Sequence, residues 1–429
     1  MNVFFHSVSL DADLCKGCIN CLKRCPTQAI RVRNGKAHII KEFCIDCGEC
    51  IRVCPHHAKK ATYDSLDILN KYEYNVALPP PSLYAQFNNL EDKSLVLAAL
   101  KKFGFDDVFE VAVAAEMISE MTRRLISEES VSLPIISSAC PSVVRLIRVR
   151  FPNLIEKISP LNVPADLAAA IALDKAMKET GLPKEKIGII FITPCPAKMT
   201  AINSPIGIQR SDINGVIAMS EIYPKLLPFL KDIYSEKTDG DYFKAPVEAG
   251  KIGVSWGKSG GEAGGVLRDR YLAADGIENV IKVLEDLEDD KLQNLDFIEL
   301  NACSGGCVGG VLAVENPYLA RVKLNILRKY LPVSGSHLEN TVPPKAFLET
   351  KIEYVPVFRL GENLEESVSM MHKVEELTEK LPGLDCGCCG APTCRALAED
   401  VARGNASEKD CIHILKKYIH QFTDELSKI

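Results

Sequence analysis

A set of cysteines spaced three, three and four residues apart occurs twice within the first sixty residues. Cys15, Cys18, Cys21 and Cys25 recur 29 residues later as Cys44, Cys47, Cys50 and Cys54, and Pro26 and Pro55 follow the fourth cysteine of each set. Such a repeat predicts two copies of one short unit, each wrapping its thiols around a common point. Between the copies, AIRVR and KAHII flank Asn34-Gly35, an alternating pattern around a type I′ hairpin turn. The chain holds seventeen cysteines in 429 residues. A disulfide scaffold is a poor account of them, because a chain of this length builds its own core and the cysteines fall into tight sets.

The duplicated spacing fits iron–sulfur chemistry. A 4Fe–4S cluster needs four converging thiolates; C-x₂-C-x₂-C supplies three from one loop, and in two-cluster ferredoxins the fourth cysteine of each set ligates the other cluster. The ligand sets are then Cys15, Cys18, Cys21 and Cys54, and Cys44, Cys47, Cys50 and Cys25. Zinc also uses CxxC pairs but has no need of a duplicated four-cysteine run ending in proline. His56 and His57 read as exposed residues rather than ligands.

Net charge of −6 argues against nucleic acid as the main partner. Arg145, Arg148 and Arg150 are expected on a solvated helix face. No apolar run reaches the roughly eighteen residues that span a bilayer, and the apolar segment 1–10 lacks a basic flank and a cleavage site. The expectation is a soluble cytoplasmic protein.

From about residue 76 to 345 the texture is α/β. Short β-rich runs (187–192, 215–218, 297–300) alternate with helical stretches (167–180, 318–330), which predicts mainly parallel sheets covered by helices. Ligands of such sheets gather at the carboxyl ends of strands. Pro79-Pro80-Pro81 ends a short apolar stretch, 331–363 reads as an irregular connection, and 364–380 as a helix.

A last cysteine group, Cys386, Cys388, Cys389 and Cys394 with Cys411 seventeen residues on, offers five thiols for one more site. It resembles a small 4Fe–4S domain of pattern CGxCGxPxC with a distant fourth ligand. That resemblance implies Cys386, Cys389, Cys394 and Cys411 as ligands and leaves Cys388 as an extra thiol. A zinc ribbon, or Cys388 in place of Cys389, are the alternatives.

The four remaining cysteines sit in loops of small residues: SSACP (Cys140), TPCPAK (Cys195) and NACSGGCVGG (Cys303 and Cys307). Small residues permit close backbone approach to a bulky ligand. These loops, in this order, resemble the cofactor motifs of the iron-only (FeFe) hydrogenases, and the likeness to putative sensory members extends over nearly the whole chain. It implies a ferredoxin-like α+β domain at 1–75, an α/β catalytic domain of two lobes at 76–345, and a linker helix with a small cluster domain at 346–429. It further implies an H-cluster, in which Cys140, Cys195, Cys303 and Cys307 hold a cubane and Cys307 bridges to a diiron azadithiolate centre carrying carbon monoxide and cyanide. Three 4Fe–4S clusters would accompany it. Lys198 matches a lysine that hydrogen-bonds a cyanide, Pro81-Ser82 the loop serving the other, and 256–261 (WGKSGG) a glycine-rich wall of the cavity. A P-loop is not expected there, because Ile252 stands where its first glycine belongs.

Four positions depart from the family pattern. Ala139 replaces a proton-relaying cysteine, Thr193 a methionine, Ala201 a glutamate three residues after the lysine, and Asn301 a methionine that packs on the diiron site. Glu116 and Glu120 do not align with the family's proton-path glutamate. The resemblance therefore implies slow interconversion of dihydrogen with protons and electrons, or a sensing role, with a ferredoxin-like carrier or a separate signalling protein as partner. The alternative is an electron-transfer or cluster-scaffold protein holding only cubanes.

Overall fold

An isoleucine-rich run, Ile187–Thr193, buries all seven of its residues and forms the middle of the larger sheet. The computed structural model describes residues 5–128, 130–238, 248–335, 338, 342, 343 and 345–426. Its strands in chain order are β1 (Val8–Leu10), β2 (Ile30–Arg33), β3 (Lys36–Ile39), β4 (Lys59–Ala61), β5 (Tyr74–Leu78), β6 (Asp107–Val108), β7 (Ile135–Ile136), β8 (Ile187–Thr193), β9 (Gly215–Ala218), β10 (Tyr271–Asp275) and β11 (Phe297–Asn301).

The chain divides into two compact units, one of Met1–Cys44, Glu49–Lys60 and Val355–Ile429, the other of Ile45–Gly48 and Ala61–Tyr354. The second is α/β, with two parallel sheets of order β6-β5-β8-β9 and β10-β11-β7. The period-2 geometry of a strand explains why β8 is apolar throughout. Ile189 and Phe191 join the core under the helices Val111–Ser127 and Pro164–Thr180, whereas Ile190 and Ile192 join the core under Ser94–Phe103 and Met219–Thr238. The mainly parallel α/β architecture expected from the sequence is present. The helix expected at 167–180 begins at Pro164, a residue suited to the first turn. The one expected at 318–330 runs Pro317–Leu327 behind an Asn316 cap. The described part of 331–363 holds no helix or strand, and residues 336, 337, 339–341 and 344 lie outside the described residues.

One expectation needs correcting. Arg145 and Arg148 are half-buried and donate to the Ser204 and Glu353 carbonyls at 3.2 and 2.8 Å, because apolar residues fill most of their helix; only Arg150 is solvated.

The first unit joins the two ends of the chain. β2 and β3 pair antiparallel around Asn34 (φ 51°) and Gly35 (φ 71°), the left-handed pair that a type I′ turn requires. Val32 donates its N–H to the Gly390 carbonyl at 2.9 Å. Buried Arg31 grips buried Asp400 through two bonds of 2.6 and 3.1 Å, and Arg33 adds a third at 3.1 Å while donating to the Cys389 carbonyl at 2.7 Å. Bidentate pairing is the favoured geometry for such a buried ion pair.

Removing Asp400 leaves two guanidinium groups without their carboxylate, which typically costs about 3–5 kcal/mol. Asp400→Ala is therefore expected to lower the unfolding free energy of this unit by that amount, read as a lower urea midpoint. Glu376→Gln, on an exposed helix face, is expected to stay within about 0.5 kcal/mol. Equal midpoints for the two variants would remove the pair from the account.

Candidate metal centre

In the α/β unit each cysteine loop leaves the carboxyl end of a parallel strand. β7 leads to Cys140, which caps the helix Pro141–Arg150; β8 leads to Cys195, which caps Pro196–Asn203; β11 leads to Cys303 and to the turn Cys307–Gly309. Proline fills the first position of both helices, where its missing N–H costs nothing. β5 leads through Pro79-Pro80 to the short helix Pro81–Tyr84, which packs on the Cys307–Gly309 turn.

Backbone bonds lock these loops together. Leu312 donates to the Pro194 carbonyl, Val308 to Gly257 and Ser259 to Gly305, each at 2.9 Å. The approach is close enough to demand glycine. A Cβ on Gly310 would lie 2.3 Å from the Pro194 oxygen, and one on Gly306 (φ 85°) 2.4 Å from the Ser259 nitrogen. The 256–261 segment thus lines the cysteine loops and Ser82: a Cβ on Gly257 would sit 3.0 Å from the Ser82 nitrogen.

Cys140, Cys195 and Cys307 act on one another and on Lys198. Burial raises the Cys195 thiol while the Lys198 charge opposes the rise. Burial pushes Cys307 up to about 12, again against Lys198, with Cys195, Cys140 and Glu299 adding to the rise. Such thiols do not ionise in bare water-free surroundings at neutral pH; a metal cation displaces the proton. Cys303 is half-buried in the same loop, its carbonyl accepting from Gly306 at 3.0 Å.

Two donors near these loops have little to bond. The Lys198 ammonium reaches only the Ala139 carbonyl among the described residues, at 3.3 Å. The Ser82 hydroxyl is fully buried and has no partner among them. Buried donors without acceptors are costly, so an anionic acceptor fits here.

Sequence reasoning missed two carboxylates. Glu262 is buried and held well above the ordinary carboxylate range by burial and then by the Glu299 charge. It accepts the Ser137 hydroxyl at 2.6 Å, and Ser137 Oγ in turn accepts the Ala139 N–H at 3.1 Å. Glu299, also raised by burial, accepts from Gly260 N, Ala263 N and the Asn301 amide at 3.0, 2.8 and 2.7 Å. The available signal was a glutamate inside the apolar strand FIELN and another inside the glycine-rich segment.

Three departures from the family pattern also acquire roles. Asn301 serves Glu299. Thr193 closes the Cys195 turn: its hydroxyl donates to the Cys195 carbonyl at 2.8 Å and accepts the Cys195 N–H at 3.2 Å. Ala201 borders a cavity of about 40 Å³ shared with Asp166 and Ser138. Glu116 and Glu120 are engaged elsewhere, Glu116 accepting from Gly250, Gly253 and Gly335 amides, and Glu120 from Leu338 N with Arg124 beside it.

In the other unit, Cys15, Cys18, Cys21 and Cys54 lie close enough for their charges to interact. Ala37 N donates to Cys15 Sγ at 3.4 Å, Ala58 N to Cys54 Sγ at 3.3 Å and Ala29 N to Cys25 Sγ at 3.2 Å, bonds that suit thiolate sulfur. His56 and His57 are exposed. Cys44, Cys47 and Cys50 are half-buried. A small cavity is lined by Cys386, Cys389, Cys394 and Cys411, with Cys388 exposed and outside its lining. The donor sets fit iron–sulfur clusters.

Comparison with known proteins gives the same answer. The profile described as "Iron only hydrogenase large subunit, C-terminal domain" matches residues 74–273 and 262–311, more than half of the chain. The chain belongs to the iron-only hydrogenase large-subunit family. The profiles "4Fe-4S dicluster domain" and "Putative Fe-S cluster" match 7–55 and 381–413. The NADP-reducing hydrogenase subunit HndD of Solidesulfovibrio fructosivorans is 27% identical over 259 residues, 50% of this chain and 44% of that one. A probable cytosolic Fe-S cluster assembly factor of Caenorhabditis elegans is 24% identical over 251 residues, 49% of this chain and 54% of that one. The chain thus spans about half the length of these relatives. An FeFe-hydrogenase structure from Chlamydomonas reinhardtii aligns with 68% of this chain and 97% of its own, with 16% identity and a TM-score of 0.48. Among the described residues no helix is long and apolar enough to cross a membrane.

The position of Cys388 in this iron–sulfur protein yields a direct test. Cys388→Ser is expected to leave the iron content unchanged, whereas Cys389→Ser is expected to lose about four irons, the content of one cubane. Iron analysis and paramagnetic resonance of anaerobic preparations distinguish them. Loss on Cys388→Ser with none on Cys389→Ser would reverse the ligand assignment.

Proposed function

We propose that this chain interconverts dihydrogen with two protons and two electrons at low turnover, responding to the gas and passing electrons or a signal to a partner protein. The observation that carries the reading is the buried Ser82 hydroxyl, which has no partner among the described residues, together with the Lys198 ammonium, which acts on Cys195 and Cys307 and bonds only the Ala139 carbonyl among those residues. The anionic ligands of a diiron group would take both donors.

In this reading Cys140, Cys195, Cys303 and Cys307 would hold the cubane, and Cys307 would also hold the diiron unit. When bound, that group supplies the open iron site where dihydrogen is made or split. Lys198 and Ser82 donate hydrogen bonds to its anionic ligands and fix its orientation. Two ferredoxin-type clusters and the C-terminal cluster complete the cofactor set, about eighteen irons per chain at four per cubane. Electrons enter or leave through the ferredoxin-type clusters. Cys47 lies in Ile45–Gly48, which belongs to the same unit as Cys195, and Asp46 accepts the Thr200 hydroxyl at 2.9 Å.

Protons take another way. The Ala139 methyl carries none. Burial, and then the Glu299 charge, hold the Glu262 carboxyl well above its ordinary range, and the Ser137 hydroxyl stands between that carboxyl and the Ala139 backbone. In this reading Glu262 is the donor, Ser137 passes the proton on, and water carries it past Ala139, whose N–H is itself a donor.

The assembly-factor relative favours a second reading, an electron-transfer or scaffold protein with cubanes alone. Dihydrogen evolution from reduced viologen by artificially matured protein separates the two. We expect slow evolution that declines as pH rises through the raised Glu262 pKa, because the donor then loses its proton. Glu262→Gln should lower the rate by roughly 10²-fold or more, within the usual range for acid–base relays, and abolish that pH limb. Ala139→Cys should raise it. Matured protein with full iron content and no evolution above the unmatured control would transfer the case to the second reading. A rate unchanged in Glu262→Gln would remove the relay.

A further inference from the structure

The two cysteine repeats carry different residues at a position that is buried in both. Five residues after the last cysteine of the first repeat stands Ile30; five residues after that of the second stands Lys59. Both are about 2% exposed. The Lys59 ammonium is buried without a hydrogen-bond partner among the described residues. A buried ammonium in that condition is costly unless a negative charge lies beside it.

That charge is available at the neighbouring sulfurs. Lys59 acts electrostatically on both Cys21 and Cys54. Ala58, the residue before Lys59, donates its N–H to Cys54 Sγ at 3.3 Å, so the chain carrying Lys59 lies against that sulfur. In the first repeat Ala29 N donates to Cys25 Sγ at 3.2 Å in the same way, and the residue that follows is the uncharged Ile30.

We infer that Lys59 is a charge built into the wall of the Cys15, Cys18, Cys21 and Cys54 cluster, and that it holds this cluster's reduction potential above that of its repeat twin. The inference rests on reading those cysteines as cluster ligands. When the cluster accepts one electron its net negative charge grows by one, with no bond made or broken, and an adjacent fixed ammonium favours the reduced form. Isoleucine at the twin position gives no such help. Of the two ferredoxin-type clusters, this one becomes the resting place for electrons drawn from dihydrogen and the one from which a partner collects them.

The test uses the full chain, purified anaerobically, with iron content measured and each cluster titrated by paramagnetic resonance. Lys59→Met should keep the iron and shift one ferredoxin-type midpoint negative by at least a tenfold change in its reduction equilibrium, 59 mV for one electron. The other midpoints should not move. Lys59→Arg retains the charge and should hold the midpoint near its original value. Unmoved midpoints in a Lys59→Met protein with full iron would overturn the inference. So would an equal shift in Lys59→Arg, which would show that packing and not charge matters. A starting protein without the irons of the two ferredoxin-type clusters would instead bring down the ligand reading beneath it.

Discussion

Desolvated sulfur governs this molecule. A thiol such as Cys307, pushed to about 12 by burial, gives up its proton only to a stronger cation. Three cysteines that act on one another there are far apart in the chain, and each follows the carboxyl end of a parallel strand, β7 and β11 in one sheet and β8 in the other. Parallel strands need helical crossovers, and the helices following β7 and β8 start at the ligands themselves. Cluster site and architecture are therefore one constraint, and the apolar cores on either face of β8 hold the strand ends in register.

Around that fixed centre the surroundings have been rebuilt. Ala139 carries no side-chain proton, and the hydrogen-bond chain from its N–H runs to Ser137 Oγ and from the Ser137 hydroxyl to Glu262. Thr193 exchanges a thioether for a hydroxyl that closes the Cys195 turn, and Asn301 binds a buried carboxylate. Groups around a metal's ligands set its potential and its proton supply.

The cysteine sets were legible because ligand spacing is local chemistry: three thiols on one loop must sit three residues apart whatever the fold. The hairpin at Asn34-Gly35 was legible for the same reason, as were β8 and the helix Leu364–Lys380. Contacts across the chain were not. Arg31 and Asp400 are 369 positions apart, and nothing in either neighbourhood announces the other. Glu262 and Glu299 were passed over because a glutamate in sequence reads as solvated; only the packing of β11 against the glycine-rich segment buries them. Arg145 and Arg148 misled in the same way.

The central claim is that a diiron group sits against Lys198 and Ser82, and infrared spectroscopy of the anaerobically matured full chain addresses it most directly. The account predicts bands of metal-bound carbon monoxide and cyanide that change under dihydrogen, with the cyanide bands shifting in Lys198→Met. Matured protein with its full complement of cubanes but without such bands would contradict it.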